Sequence, residues 1–327
     1  MNVSSGIGAK FALAALVGLA SLWLPAHADQ LPGIRHVGIL DPFSSSTLEE
    51  SIRDGIHQAG YTEGKTIVIE WRRSTGPEEE LRALASDLAD AKVELIVAIG
   101  SPATRAALQV TTVPVVFISG DPVGAGFAAS LARPGGNGTG VSVLSPELEP
   151  KRLELLHQLA PRARRVGNLR NLLNPLASRE LEEQRTAARV FGLQLKVFNA
   201  PTVRGLDTAL DAIRHNPPDA LIVSPEAFFL AHSAKIAQTV RKARIPAIFP
   251  YREYVADGAL MSYGPNLKQV GHLLAVYVDK ILRGAKPADL PIEQMSKYDL
   301  VVDLRVAREM RIHVPHDLLL RADEVIR

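Results

Sequence analysis

The chain has 327 residues and no cysteine, and its 37 Lys and Arg nearly balance 35 Asp and Glu, for a formal net charge of +2. The missing cysteines exclude disulfides, thiolate metal sites, cysteine nucleophiles and a lipidated anchor, and the balanced charge gives no global field for nucleic acid or an anionic membrane. At this length one hydrophobic core usually gives way to two, so two lobes are expected.

The N-terminus has the parts of an export signal in order: Lys10, an apolar run over residues 11–24, and Ala26-His27-Ala28 as an A-x-A cleavage site. The run is shorter than the roughly 20 residues that span a bilayer. Cleavage after Ala28 is therefore expected, releasing a mature chain that begins at Asp29, carries no stable membrane anchor and diffuses in the periplasm.

From residue 34 onward short β-branched runs alternate with helical patterns, the spacing of βαβ units in a parallel sheet. Strands are predicted at 34–40, 66–71, 95–99 and 115–118, and again at 166–169, 193–198, 221–223 and 247–249. Ser46 and Glu49 form a capping box ahead of the stripe Leu48, Ile52, Ile56 and Ala59. Pro77 with Glu78, Glu79 and Glu80 makes the acidic first turn of a second helix. The glycine-rich loop 133–140 precedes a short run at 141–143 that leads out of lobe one, and a helical stretch at 147–159 opens lobe two. The longest helical pattern, 267–283, stops at Gly284. Further strand patterns at 260–263 and 298–304 imply that the chain recrosses between lobes and makes a hinge.

The expected fold class is α/β, two doubly wound parallel-sheet lobes joined by a multi-crossing hinge. The expected division is a signal peptide over 1–28, lobe one over 33–145 plus about 252–285, and lobe two over 146–251 plus about 286–327.

Five predicted strands end in a small polar residue followed by proline: Asp41-Pro42, Ser101-Pro102, Asp121-Pro122, Asn174-Pro175 and Ser224-Pro225. Singly, such a pair is an ordinary way to start a helix. As a set they occupy the carboxyl-end loops that line ligand crevices in open parallel sheets. Ser101 with Thr104 at a helix start suits an anionic group, and Asp121 suits a cationic one. Phe43, Phe228, Phe229, Tyr251, Tyr254 and Tyr263 lie beside the same loops; lobe packing explains most of them, and any that line the cleft imply a flat or apolar part in the ligand.

Catalytic readings fail one by one. Residues 60–66 resemble a phosphate loop but are one residue short and lead into a strand, and Gly136, Gly138 and Gly140 lack dinucleotide-fingerprint spacing. His313 and His316 do not make a metal site, because Pro315 between them disrupts helical geometry and no third ligand is near in sequence. There is no G-x-S-x-G elbow and no S-x-x-K pair. A binding protein without catalytic residues, metal or cofactor is expected.

Several segments carry a family resemblance: Gly60-Tyr-Thr-Glu-Gly-Lys65, Gly120-Asp-Pro-Val-Gly124, Ser130-Leu-Ala-Arg-Pro-Gly-Gly-Asn137, Lys151-Arg-Leu-Glu-Leu-Leu156, Gly258-Ala-Leu-Met-Ser-Tyr-Gly264, Tyr277-Val-Asp-Lys-Ile-Leu282 and Leu318-Leu-Leu-Arg-Ala-Asp-Glu-Val325. The chain resembles the periplasmic substrate-binding proteins of ABC transporters, in the family that includes tryptophan- and tyrosine-binding members. The resemblance implies a type I periplasmic binding fold that closes by hinge motion over a small solute, such as an amino acid. It also implies a monomer that delivers the solute to ABC permease subunits, the alternative being a ligand-binding partner of a sensor kinase. The ligand-binding positions it implies are Asp41, Phe43 and Ser44 after the first strand, then Ser101, Ala103, Thr104, Asp121 and Pro122. Further along the chain they are Asn171, Asn174, Ser224, Glu226, Tyr251 and Glu253. Where the family often has an Asn-Pro-x-Asn-Pro turn, this chain has Asn171-Leu-Leu-Asn174-Pro175.

Overall fold

The structure, a computed structural model, describes residues 33–42, 45–74 and 78–327. The export signal and Pro77 lie outside these residues.

The first lobe grows by alternation of strand and helix: β1 (Arg35–Asp41), α1 (Ser46–Gln58), β2 (Ile67–Arg73), α2 (Glu78–Asp90), β3 (Leu95–Ile99), α3 (Ser101–Val110) and β4 (Val115–Ser119), with β5 (Gly138–Ser142) following through a long loop. All five residues of β3 and of β4 are buried, as continuous apolar strands must be when helices cover both sheet faces. The chain then crosses to α4 (Ser145–Leu159), β6 (Arg165–Arg170), α5 (Ala177–Val190), β7 (Gln194–Asn199), α6 (Val203–His215), β8 (Ala220–Val223), α7 (Ala227–Leu230), α8 (Ser233–Lys242), β9 (Ala247–Ile248), α9 (Arg252–Ala256) and β10 (Met261–Gly264). A second crossing returns it through α10 (Leu267–Leu282) and a 3₁₀ turn (Pro287–Asp289) to β11 (Glu293–Gln294). A third leads to β12 (Asp299–Asp303), α11 (Leu304–Met310), α12 (His316–Leu320) and β13 (Glu324–Ile326).

Among the described residues the strands form three sheets. The first is all parallel with order β11-β5-β4-β3-β1-β2, and the second is all parallel with order β7-β6-β8-β9. The third, β10-β12-β13, pairs β10 antiparallel to β12. A bridge between Phe249 and Ser262 joins it to the second sheet. The two-lobed α/β architecture expected from the sequence is therefore present. Among the described residues no helix is long and apolar enough to cross a membrane.

The pairing corrects the expected division in two places. Residues 252–264, expected in lobe one, carry α9 and β10, and Met261 shares one apolar cluster with Val166, Ile222, Ile248 and Val302 of lobe two. Residues 293–294, expected in lobe two, add β11 to the edge of the first sheet, and Ile292 joins the lobe-one cluster with Leu40, Ala98 and Phe117. The crossings thus lie between Ser142 and Ser145, Gly264 and Leu267, and Gln294 and Asp299.

Helix starts also differ from expectation. The cap of α1 is Ser45, extended at φ −86° and ψ 115°, whose hydroxyl accepts the Leu48 N–H at 3.4 Å; Ser46 is already helical. Of the five polar-proline pairs only Ser101-Pro102 opens a helix, with Gly100 as its cap. A sixth pair, Ser145-Pro146, opens α4 after Leu144, which sits in the left-handed region at φ 47°. For a non-glycine residue that conformation costs roughly 1–2 kcal/mol, so the first crossing holds local strain.

Helix α10 reaches lobe one by packing closely on α1. A Cβ added at Gly55 would lie 2.6 Å from the Ala275 Cβ, and one at Gly271 would run into the Ser51 hydroxyl. Gly55→Ala would gain about 0.5–1 kcal/mol of helix propensity but force two rigid helices apart, an overpacking cost of about 1–3 kcal/mol. A lowered urea midpoint is expected; a raised one would mean that α1 and α10 separate freely.

Candidate functional site

Parallel strands present their carboxyl ends on one edge of a sheet, and in each lobe that edge faces the other lobe. The lobe-one rim follows β1, β3 and β4; the lobe-two rim follows β6, β8 and β9. The rims touch. Arg179 of α5 pairs with Asp121 across the seam and also donates to Glu147 Oε1 at 3.1 Å. Gly120 packs so closely on Leu176 and Ser145 that an added Cβ would lie 2.5 and 2.6 Å from them. Arg105, bonded to Glu78 at 2.9 Å through Nε, reaches the Leu173 carbonyl at 3.5 Å.

Among the described residues, two of the cavities lie along the seam. The central one, about 30 Å³, is lined by Ser101, Ser119 and Gly120 from lobe one and by Ser145, Asn174 and Tyr251 from lobe two. That is about one water molecule's share of the liquid. The second, about 480 Å³, is walled by Thr47 of α1, Glu253 and Asp257 near α9, and Asn266 and Lys268 at the start of α10, and its volume is within the range of small-molecule sites. The turn from β9 into α9 serves both, Tyr251 lining the smaller and Glu253 the larger.

The sequence-derived positions separate into groups. Phe43 and Ser44 lie outside the described residues. Asp41 is buried at the end of β1, 3.7 Å from Arg73 Nε. The Ser101 hydroxyl lies 2.9 Å from that of Ser119 and accepts the Gly120 N–H at 3.4 Å. Ala103 and Thr104 turn away from the seam: Ala103 belongs to the lobe-one apolar cluster, and Thr104 Oγ1 donates to Gly100 O at 2.9 Å within its own helix. Asp121, read as a partner for a cationic ligand group, instead accepts the Gly124 N–H at 2.8 Å and the Arg179 guanidinium. Pro122 is buried in the same turn, its carbonyl accepting the Phe127 N–H at 2.8 Å.

In lobe two the positions converge. Asn171 Oδ1 accepts the Leu173 N–H and Asn174 Oδ1 accepts the Leu176 N–H, both at 2.9 Å, which fixes the turn after β6. Asn174 Nδ2 then donates to Glu226 Oε2 at 3.0 Å, and the Asn171 N–H also faces that carboxyl. Glu226 Oε1 has no hydrogen-bond partner. Burial pushes the Glu226 carboxyl up to about 8. Tyr251 is buried too, and burial raises its phenol above the ordinary range. Glu253 is raised by burial while the Thr47 hydroxyl opposes the shift, and its Oε2 is unpartnered. Ser224 points below the rim, its hydroxyl 3.4 Å from Asn168 Oδ1.

Sequence reasoning missed the layer beneath. Glu149, Arg152, Arg170 and Glu180 are each at most 2 % exposed. Arg152 pairs with Glu149 at 2.6 Å and donates through Nε to Tyr263 O at 2.9 Å. Arg170 pairs with Glu180 at 3.1 Å, and its Nε donates to Asn168 Oδ1 at 3.1 Å. Ser145 at the first crossing donates to Glu180 Oε1 at 2.5 Å, and Gln184 bonds Glu149 and Asn168. Burial raises the Glu180 carboxyl against the pull of Arg170. Only Ser145-Pro146 had a usable signal, being one more polar-proline pair. Among the described residues no group of three or more His, Cys, Asp or Glu is arranged to hold a metal.

Comparison with known proteins agrees over nearly the whole described chain. A model of the family described as ABC transporter substrate binding protein matches residues 37–326. The tyrosine-binding protein of Clostridioides difficile (strain R20291) is 23% identical over 275 residues, covering 82% of this chain and 79% of that protein. The ABC domain from Streptococcus pneumonia in complex with L-Trp superposes with a TM-score of 0.81 at 25% identity, over 90% of this chain and 100% of that one. A conserved domain protein from Vibrio cholerae O1 biovar eltor gives 0.82 at 26% identity, over 89% and 99%.

Proposed function

The chain belongs to the ABC transporter substrate binding protein family, and from that premise we propose that it captures a free amino acid between its lobes and presents it to a membrane permease. The observation that carries this reading is the seam itself: two facing strand-end rims where the buried Glu226 and the partly buried Glu253 each keep one carboxyl oxygen unpartnered. The tryptophan bound in one similar structure and the tyrosine in the name of one relative support an amino-acid ligand.

The central cavity is too small for any amino acid, so binding requires the lobes to part and then close. Closure follows only if the solute binds the closed form better. The first turn of α3, capped by Gly100 without a side-chain bond, offers N–H groups and the Ser101 hydroxyl to a carboxylate. Micromolar affinity corresponds to about 8 kcal/mol, which a few charge-assisted hydrogen bonds and one buried apolar side chain supply. On this reading the ligand leaves unchanged, as it does from a substrate-binding protein. The protein acts as a monomer, outside the cytoplasm.

With the twenty standard L-amino acids tested one at a time, at least one should raise Tm by several degrees and be recovered intact by mass spectrometry. A ligand at 100 times its Kd stabilises by about 2.7 kcal/mol. No shift across the set would refute an amino-acid ligand, and a changed mass would establish catalysis instead. Arg179→Ala removes the clasp to Asp121, a pair whose arginine is half-exposed, worth about 0.2–1 kcal/mol, so affinity should fall by up to about fivefold in titration calorimetry; unchanged affinity would remove the clasp from closure. Intact-mass analysis of the protein purified from its native compartment should give a chain beginning at Asp29, whereas an N-terminus at Met1 would rule out export by cleavage.

A further inference from the structure

Glu226 is 3 % exposed and lies among the buried charges beneath the lobe-two rim. That set holds two guanidiniums, Arg152 and Arg170, and three carboxyls, Glu149, Glu180 and Glu226. Arg152 pairs with Glu149 at 2.6 Å, and Arg170 pairs with Glu180 at 3.1 Å and lies 4.0 Å from Glu149, its Nη2 having no hydrogen-bond partner. Among the described residues no cation lies within ion-pair distance of Glu226, whose partners are the neutral Asn174 amide and the Asn171 N–H. Ionised, it would leave one uncompensated negative charge in a site closed to water, an arrangement that proteins avoid by neutralising the group.

We propose that Glu226 is the specificity-determining residue of the cleft, holding a proton while no solute is bound and losing it to solvent when a ligand ammonium docks against its carboxylate. The proposal rests on the amino-acid reading above. In the exchange the O–H bond of the carboxyl breaks, its proton leaves to water, and an ion pair with the ammonium forms in its place. The ligand thereby supplies the third cation that the buried set lacks. Solutes with a carboxylate but no amino group cannot do this and are rejected.

The surroundings favour the protonated carboxyl. Burial raises it most, and the Glu180 carboxylate adds repulsion, while the Asn174 amide, the Arg170 guanidinium and the Asn171 N–H pull the other way, leaving it at about 8. Tyr251 and Tyr254 sense the same field and are themselves raised by burial, so both remain neutral near pH 7. Glu226 lies behind the central cavity, which is lined by its neighbours Pro225 and Ala227, its partner Asn174 and Glu180, and from lobe one by no ionisable residue. A purely structural, permanently protonated Glu226 is the competing account, and a glutamine would serve that role equally well.

The sign of the pH effect follows. Between the ordinary carboxyl value of 4.5 and about 8, the folded protein keeps a proton that the unfolded chain releases, so the unliganded fold loses stability as pH rises through that window. Glu226→Gln keeps the shape and hydrogen-bond count but cannot ionise. Its Tm should match the wild type near pH 5 and exceed it near pH 8.5; equal Tm values at both pH values would overturn the proposal whatever the ligand. Titration calorimetry of L-tyrosine and L-tryptophan at pH 7, in buffers of different ionisation heat, should show about one proton released per ligand for the wild type. The wild-type affinity should rise about tenfold per pH unit from pH 5 toward 8. Glu226→Gln should release none and bind about 10–100-fold more weakly. It should also lose the preference for tryptophan over indole-3-propionate, which lacks the amino group. Binding without proton release, or undiminished affinity in Glu226→Gln, would refute the proposal while leaving the amino-acid reading intact. No binding of either amino acid, together with no shift from the other eighteen, would instead sink that reading and the docking half of the proposal with it.

Discussion

The pairing of two fully buried guanidiniums is the constraint around which lobe two is organised. Arg170 ends β6 and Arg152 sits two turns into α4, and their carboxylate partners come from α4 and α5. In a medium from which water is excluded each charge must be met at short range. Removing one partner of such a pair typically costs about 3–5 kcal/mol, although the intact pair adds little net stability over an apolar replacement. Its consequence is geometric. Strand β6, helices α4 and α5 and, through Tyr263 O, strand β10 are held in one arrangement, and the turn that carries Asn171 and Asn174 is built on the end of that strand.

Strength is distributed unevenly between the lobes and the seam. The Arg152 and Arg170 pairs of lobe two are buried, whereas the Arg179 pair with Asp121 is partly open to solvent and screened by salt. A partly exposed pair of this kind adds little to what holds the lobes together. The first crossing is tied to the buried set, because Ser145 there bonds Glu180, and it holds Leu144 in a left-handed conformation.

Much of the architecture was legible in local pattern. The apolar runs at 95–99 and 115–118 became β3 and β4 within a residue, and the helix expected at 267–283 became α10 with Gly284 at φ 97° just beyond its end. The loops after the strands did form the facing rims, and Asn171, Asn174, Glu226 and Tyr251 did come together. Where the reading failed, it failed on partners. Asp121 looked free for a ligand because nothing near it in sequence opposes it; Arg179 arrives from the other lobe. Ala103 and Thr104 share a helix start with Ser101, yet at a rotation of about 100° per residue they face the core rather than the seam. The two-residue strand β11 has no periodicity to detect, and it exists because Leu131, Ser142 and their neighbours leave backbone groups for it to pair with.

The sequence by itself determined the alternation of strands and helices, hence two parallel sheets, and hence the edges on which loops could form a cleft, because hydrophobic periodicity and proline or glycine stops act over a few residues. Only the tertiary structure decided which polar groups in those loops are already spent. It also decided that Gly55, in a helix where alanine would be favoured locally, must lack a side chain because Ala275 presses against it. The charge count around Glu226 is of the same kind. Glu149 and Arg152 of α4, Arg170 of β6, Glu180 of α5 and Glu226 before α7 look like ordinary surface residues in the sequence. Folding removes the water around all five at once, and only then does the set show three acids for two bases.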